Sequence, residues 1–230
     1  VVEVFGPTIQ GEGPYAGRVT HFLRLGGCDY RCSWCDTPHA VDPALVRLAE
    51  NLTTGEVLER LDALEPAPML VISGGNPALY KLDGLLDELR GRYSVVAVET
   101  QGSRWRDWLW RVDSLVVSPK GPSSGEATPM RVTQFQRFMR FARAQPRGLV
   151  LKVVVFDGED LTWARYVHGS NPTVPFYLSA GTDQEPEDPL PALSERYAWL
   201  CEEVAHDTAF ADAVVLPQLH VIAWGHRVGV

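Results

Sequence analysis

The chain has little that would carry it to a membrane, to nucleic acid or out of the cell. No apolar run in its 230 residues approaches the roughly 18 needed to cross a bilayer. Basic residues are outnumbered, 21 Lys and Arg against 29 Asp and Glu, for a net charge of −8. A protein without a basic stripe cannot neutralise phosphates broadly, which excludes general nucleic-acid binding and favours a small-molecule substrate. The amino terminus, Val1-Val2-Glu3-Val4-Phe5, lacks the basic-then-apolar layout of a signal peptide, so a cytoplasmic location is expected. Cysteine is also scarce. Of four, Cys28, Cys32 and Cys35 crowd too closely for ordinary bridging, and in a reducing compartment they read as ligands or free thiols. Cys201, inside Tyr197-Ala198-Trp199-Leu200-Cys201, reads as helix-face packing. The acidic run Gln184–Pro189 reads as a solvated loop.

With 45% hydrophobic residues, the chain can bury a full core, and one domain over 1–230 is expected. Apolar, β-branched runs recur at Thr20–Leu25, Met69–Ile72, Val95–Val98, Leu115–Val117, Leu149–Val155, Val174–Leu178 and Ala213–Leu216. Helical patterns lie between them. Thr53-x-x-Glu56 forms a capping box ahead of the stripe Val57, Leu58, Leu61 and Leu64, and Leu82, Leu85, Leu86 and Leu89 mark the next helix. Alternating strands and helices imply an α/β fold with a parallel sheet, right-handed crossovers and ligands at the carboxyl ends of the strands. A closed eight-unit barrel takes about 250 residues, and part of this chain goes to an N-terminal segment and a cysteine loop. The expectation is therefore an incomplete, partial TIM-like barrel of about six βα units. Gly121–Pro129 reads as the most mobile loop. Trp105, Trp108 and Trp110 look exposed, as a subunit contact or a barrel cap.

Three thiolates at C-x3-C-x2-C spacing curl around one metal centre and leave it a ligand short. The common ferredoxin patterns use four cysteines, so three suggest a cubane with one open iron that binds a cofactor or substrate. A zinc site is the alternative, with His39 as fourth ligand. Further on, Ser73-Gly74-Gly75-Asn76-Pro77 closes a strand, either as an ordinary turn or as a backbone cradle. Arg24 offers a planar fork for a carboxylate, or a surface ion pair. Thr37 reads as a turn or N-cap residue, and His220 and His226 as site or structural histidines.

Cys28-x3-Cys32-x2-Cys35 after a strand resembles the signature of the radical S-adenosylmethionine enzymes. That resemblance implies a [4Fe–4S] cluster whose open iron chelates S-adenosylmethionine, with reduction yielding a 5′-deoxyadenosyl radical. Ser73–Pro77 is similar to the family's Gly-Gly-Glu-Pro segment, from which Asn76 departs: its amide accepts a hydrogen bond but carries no charge. Phe5–Pro14, Arg24–Cys28, Cys35-Asp36-Thr37, Glu99–Ser103, Ser118-Pro119-Lys120, Leu151–Val154, Pro217–His220 and Trp224-Gly225 are similar, in the same order, to segments of the 7-carboxy-7-deazaguanine synthase family. The resemblance covers nearly the whole chain.

It implies conversion of 6-carboxy-5,6,7,8-tetrahydropterin to 7-carboxy-7-deazaguanine by hydrogen-atom abstraction at C6, ring contraction and loss of ammonia, in queuosine-type 7-deazapurine synthesis. By the same resemblance Cys28, Cys32 and Cys35 hold the cluster; Gly75, Ser118, Lys120 and Ser179 contact S-adenosylmethionine; Ile9, Gln10, Gly11, Glu12, Arg24, Ser73 and His220 contact the pterin. It also implies Mg2+ on the Thr37 hydroxyl, a suitable hard-oxygen ligand, a flavodoxin-like electron donor and a homodimer. Roles for Glu99 and for the Val230 carboxylate stay open. The competing readings are a glycyl-radical activase, which would act on a protein backbone, and a non-catalytic zinc or iron–sulfur binding module.

Overall fold

Strand β1 (Glu3–Ile9) pairs antiparallel with β2 (Val19–Leu25), and from β2 onward every pairing is parallel. The computed structural model describes residues 1–144, 148–184 and 188–230. Its sheet runs in simple chain order through β3 (Met69–Gly74), β4 (Val95–Thr100), β5 (Ser114–Val117), β6 (Leu149–Val155), β7 (Phe176–Ala180) and β8 (Val214–Leu216). The sheet is open, with β1 and β8 as its two edges. The seven parallel strands are those read from the apolar runs. Strand β1 was not anticipated, because Phe5-Gly6-Pro7-Thr8 breaks its alternation and its pairing shifts register between Phe5 and Thr8.

Six crossovers join the seven parallel strands. Five contain α-helix: α1 (Pro38–Val41), α2 (Pro43–Val46) and α3 (Thr54–Asp62) follow β2, and α4 (Asp83–Leu89), α5 (Pro129–Ala142), α6 (Gly158–Gly169) and α7 (Leu190–Ala205) follow β3, β5, β6 and β7. The crossover after β4 has only a short 3-10 turn at Asp107–Arg111, and α8 (Leu219–Trp224) follows β8. The capping box at the start of α3 is formed, with Thr53 Oγ1 accepting from the Glu56 amide at 3.3 Å and Glu56 Oε2 accepting from the Thr53 amide at 2.7 Å.

Period-two alternation sorts the strand side chains. Leu23 and Leu25, Leu70 and Ile72, Val96 and Val98, Leu115 and Val117, Leu151, Val153 and Val155, and Leu178 and Ala180 face the helices in one large core. The residues between them face the concave side. There Met69, Val71 and Ala97 pack with Tyr15 and Phe22 in a smaller cluster, and toward the carboxyl ends the same face carries Arg24, Ser73, Glu99, Ser118 and Lys152.

Three local expectations change. Trp108 is 2% exposed, and its Nε1 donates to the Tyr80 carbonyl at 3.0 Å; it is core, because the 3-10 turn tucks it behind the sheet. Trp105 packs against Trp110 and Phe138, leaving only Trp110 substantially exposed. Gly121–Pro129 is a bonded support: Ser123 Oγ donates to Asp160 Oδ2 at 2.5 Å and accepts from Trp34 Nε1 at 2.9 Å. Cys201 is half-buried on α7. Residues 185–187 of the expected acidic loop lie outside the described residues.

Candidate active site

The cysteine loop leaves the carboxyl end of β2 and is anchored from four directions. Asp29 Oδ1 accepts from Asn76 Nδ2 at 2.9 Å and from Gln101 Nε2 at 2.7 Å. Arg131 at the start of α5 donates to the Asp29 carbonyl and stacks its guanidinium over Tyr30, 4.1 Å from the ring centroid. Glu126 accepts from the Arg31 amide at 2.6 Å. Ser33 donates to the Ser123 carbonyl at 2.7 Å. These bonds turn Cys28, Cys32 and Cys35 onto the wall of one cavity of about 160 Å³ at the carboxyl edge of the sheet.

Burial pushes the Cys28 thiol up and the Cys32 thiol up to about 12, so both are neutral until a metal centre displaces the proton. A zinc site would need His39 as fourth ligand beside the three cysteines. His39 lies elsewhere, on a neighbouring cavity with Nε2 3.4 Å from Glu3. Thiols spaced around a cavity suit a cubane, where each takes a different iron. The donor set therefore fits the cluster.

Gly75, Ser118 and Lys120 line the same cavity, with Lys120 Nζ donating to Ser118 Oγ at 3.0 Å and lying 5.4 Å above the Trp34 ring. Ser179 does not line it. It is fully buried on β7 with its hydroxyl unpartnered, and Thr182, three residues on, reaches the cavity instead. The glycines have a backbone reason to be there. A Cβ at Gly75 would collide with the Gly27 carbonyl, and one at Gly74 with Leu25, because the end of β3 lies against the chain entering the cysteine loop. Gly75 N donates to Leu25 O at 2.9 Å and Asn76 N to Gly27 O at 2.8 Å. Asn76 is fully buried off the cavity wall: its Oδ1 accepts from Thr100 Oγ1 and Ala78 N, and its Nδ2 donates to Asp29 and Ser103. It is a structural tie.

A second cavity, of about 140 Å³, adjoins the first across a shared wall that includes Glu12, Arg24, Thr37, Ser73 and Glu99. Ile9, Gln10, Gly11, Glu12, Arg24, Ser73 and His220 all line it. Several are already engaged. Gln10 donates from Nε2 to Glu99 at 3.0 Å and accepts at Oε1 from the Glu12 amide at 3.2 Å, while its backbone is bonded within the β1–β2 hairpin. The Gly11 carbonyl accepts from Leu219 N at 3.0 Å, and a Cβ at Gly11 would strike the His220 ring. Arg24 Nε pairs with Glu3 at 2.9 Å and its guanidinium lies 5.5 Å from the Phe5 ring centroid, so it is an ion pair and a cavity residue at once. Thr37 occupies the N-cap position of α1 without capping it; its hydroxyl is 3.7 Å from Cys35 Sγ, and the residue lines both cavities. His226 and Val230 also line the second cavity.

Sequence reading left three contributors without a role. Lys152 Nζ meets Glu12 Oε2 at 2.6 Å, Gln218 Nε2 meets Glu12 Oε1 at 3.1 Å, and Thr182 Oγ1 donates to Gln218. Burial alone would raise the Glu12 carboxyl; Lys152, then His220 and Lys120, outweigh it and hold Glu12 at about 2. Burial works against the Lys152 charge, but Glu12 and then Glu99 carry its pKa upward. A lysine in an apolar strand, inside the family-like segment Leu151–Val154, was the signal for this pair.

An open α/β sheet with three thiols on a loop at its carboxyl edge, beside a polar cavity, agrees with the radical S-adenosylmethionine class that the cysteine spacing resembles. No family model matches the chain. It is 40% identical over 238 residues to a 7-carboxy-7-deazaguanine synthase of Bacillus cereus, covering 100% of the chain and 98% of that protein. It is 38% identical over 242 residues to the Bacillus subtilis enzyme of the same name, again covering 100% and 98%. The chain belongs to the 7-carboxy-7-deazaguanine synthase family. Among solved structures, QueE from Escherichia coli superposes with a TM-score of 0.67 at 20% identity, covering 96% of this chain and 93% of that one. Streptococcus suis SuiB bound to S-adenosylmethionine gives 0.59 at 12% identity, over 85% and 49%. Both support the fold.

Proposed function

We propose that the chain, as one catalytic unit, converts 6-carboxy-5,6,7,8-tetrahydropterin to 7-carboxy-7-deazaguanine and ammonia. The observation that carries this reading is the shared wall: the three-thiol cavity opens onto a second one that offers a carboxylate, a guanidinium and an imidazole. Bound at the first cavity, a [4Fe–4S] cluster on Cys28, Cys32 and Cys35 with S-adenosylmethionine would supply the radical that accepts a hydrogen atom.

The chain's own residues bind and orient. Glu12, ionised, accepts from the amino group and ring N–H of the pterin edge. Arg24 and His220 face the substrate carboxylate from β2 and α8. The Thr37 hydroxyl, free of capping duty, offers an oxygen to Mg2+ on the boundary between the cavities, where the ion would hold the substrate carboxylate near C6. Lys120 and Ser118 face S-adenosylmethionine in the cysteine cavity. Phe156, packed at a tilt against Trp34 with centroids 5.1 Å apart, helps to exclude water there. The reaction balances without an added oxidant, since product and ammonia together contain the atoms of the substrate. A flavodoxin-like one-electron donor, a homodimer and a cytoplasmic setting belong to the same proposal; among the described residues no helix is long and apolar enough to cross a membrane.

The test is anaerobic incubation of the reconstituted protein with reductant, S-adenosylmethionine, Mg2+ and the carboxytetrahydropterin, with mass detection of the deazapurine. Product is expected, absent in Cys32→Ala and formed with a KM raised about tenfold or more in Arg24→Ala, for loss of one charge-assisted pair. Cleavage of S-adenosylmethionine without deazapurine would sink the substrate assignment.

A further inference from the structure

We propose that Lys152 is a positioning and specificity-determining residue, which with Gln218 fixes the Glu12 carboxylate as an ionised, two-oxygen acceptor for the substrate's adjacent N–H donors. The inference rests on the proposed pterin reading of the site.

The fold gives no reason for a lysine here. Residue 152 points to the concave face of β6 between Val150 and Val154, all three nearly buried, and a third valine would continue the series. Burying an ammonium is costly, and only close pairing offsets it. Lys152 is 5% exposed and, among the described residues, is hydrogen-bonded to Glu12 alone. Each Glu12 oxygen is then held once, Oε2 by Lys152 and Oε1 by Gln218. Thr182 donates to the Gln218 carbonyl oxygen, which turns the amide so that its NH2 group faces Glu12. A carboxylate oxygen has more than one acceptor direction, so both oxygens retain one for a ligand.

The charged groups around Glu12 come from every neighbouring element: Lys152 on β6, Glu99 on β4, Lys120 beyond β5, His220 on α8 and Asp36 beyond the cysteines. Burial opposes ionisation of Glu12, while Glu99 and Asp36 favour the charged form of Lys152. Lys152 is the cation in direct contact, and ligands that fill the cavities and exclude water increase the need for it. Without it, burial favours a protonated Glu12, which would present an O–H toward the substrate's own donors. A ligand matched to a carboxylate is then rejected.

The experiment is anaerobic equilibrium binding of 6-carboxy-5,6,7,8-tetrahydropterin to the cluster-loaded enzyme with S-adenosylmethionine, from pH 6 to 8.5. Lys152→Met is expected to weaken binding roughly 10- to 100-fold at the acid end, with affinity recovering as pH rises and Glu12 regains its charge. Lys152→Arg is expected to restore a flat profile. Glu12→Gln, and the double variant Glu12→Gln/Lys152→Met that avoids an unpaired buried charge, should bind weakly at every pH. A pH-independent loss in Lys152→Met, or binding by the double variant as tight as the parent's, would overturn the proposal. Failure of the parent enzyme to bind the pterin would instead overturn the substrate reading, and the proposal with it.

Discussion

At the residue scale, Asn76 shows how a departure from a motif is absorbed. In the family's Gly-Gly-Glu-Pro segment a carboxylate stands at this position; here an amide donates to Asp29 and Ser103 while accepting from Thr100 and Ala78. Only an amide supplies donors and acceptors in that arrangement. Asn76→Ala would leave several buried partners unsatisfied, at a cost of about 3 kcal/mol. Because Asp29 adjoins Cys28, the variant should also retain less iron per chain after reconstitution. Denaturant melts under argon, with iron counted on the same samples, test both; unchanged values in the two measurements would refute the role.

Among elements, the junction between the end of β3 and the start of the cysteine loop controls the site. The Leu25, Gly27 and Ala40 carbonyls are bonded by Gly75, Asn76 and Gly27 amides, in a stack that leaves no space for a side chain on Gly75. Gly75→Ala must push the loop outward by displacing backbone, since no flexible side chain is there to yield. The expected outcome is a folded protein by far-ultraviolet circular dichroism, with the iron–sulfur absorbance reduced several-fold. Full cluster occupancy would show that the junction tolerates displacement. The helices and strands around it were legible in advance: the Thr53 capping box, the leucine stripe of α4 and the seven parallel strands follow from period and propensity alone. Strand β1 was not, since its irregular register depends on pairing with β2. Nor was the Gly121–Pro129 support, whose order comes from Asp160 on α6 and from the cysteine loop.

Over the whole molecule, the concave face of the helix-backed sheet buries the Glu12–Lys152 pair, which couples folding to pH. Glu12 is held at about 2 when folded, against an ordinary 4.5, so its contribution is complete above about pH 4.5 and is lost as pH falls through about 2. In the Glu12→Gln/Lys152→Met variant, the dependence of unfolding free energy on pH between 4 and 3 should be shallower than the parent's, by up to about 1.4 kcal/mol per pH unit for one proton. Parallel slopes would mean that Glu12 is not depressed in the native state. Absolute stability is a separate matter, because replacing a buried ion pair by neutral groups of similar size is often neutral or better.

Sequence by itself determined the α/β class, the parallel strands and the cysteine loop, because strand period, helix stripes and ligand spacing are local quantities; resemblance to a family, and no local pattern, pointed to part of the lining of the two cavities. Only the tertiary structure decided which of those residues are free to act. Gln10 lines the second cavity while also bonding Glu99, Asn76 ties the loop from off the wall, and Ser179 lies behind the wall that Thr182 reaches. Lys152 and Gln218 became part of the site because the hairpin carrying Glu12 folds over β6 and meets the segment after β8, joining positions 140 and 206 residues apart. Such partnerships depend on where the chain returns in space, which no local pattern encodes.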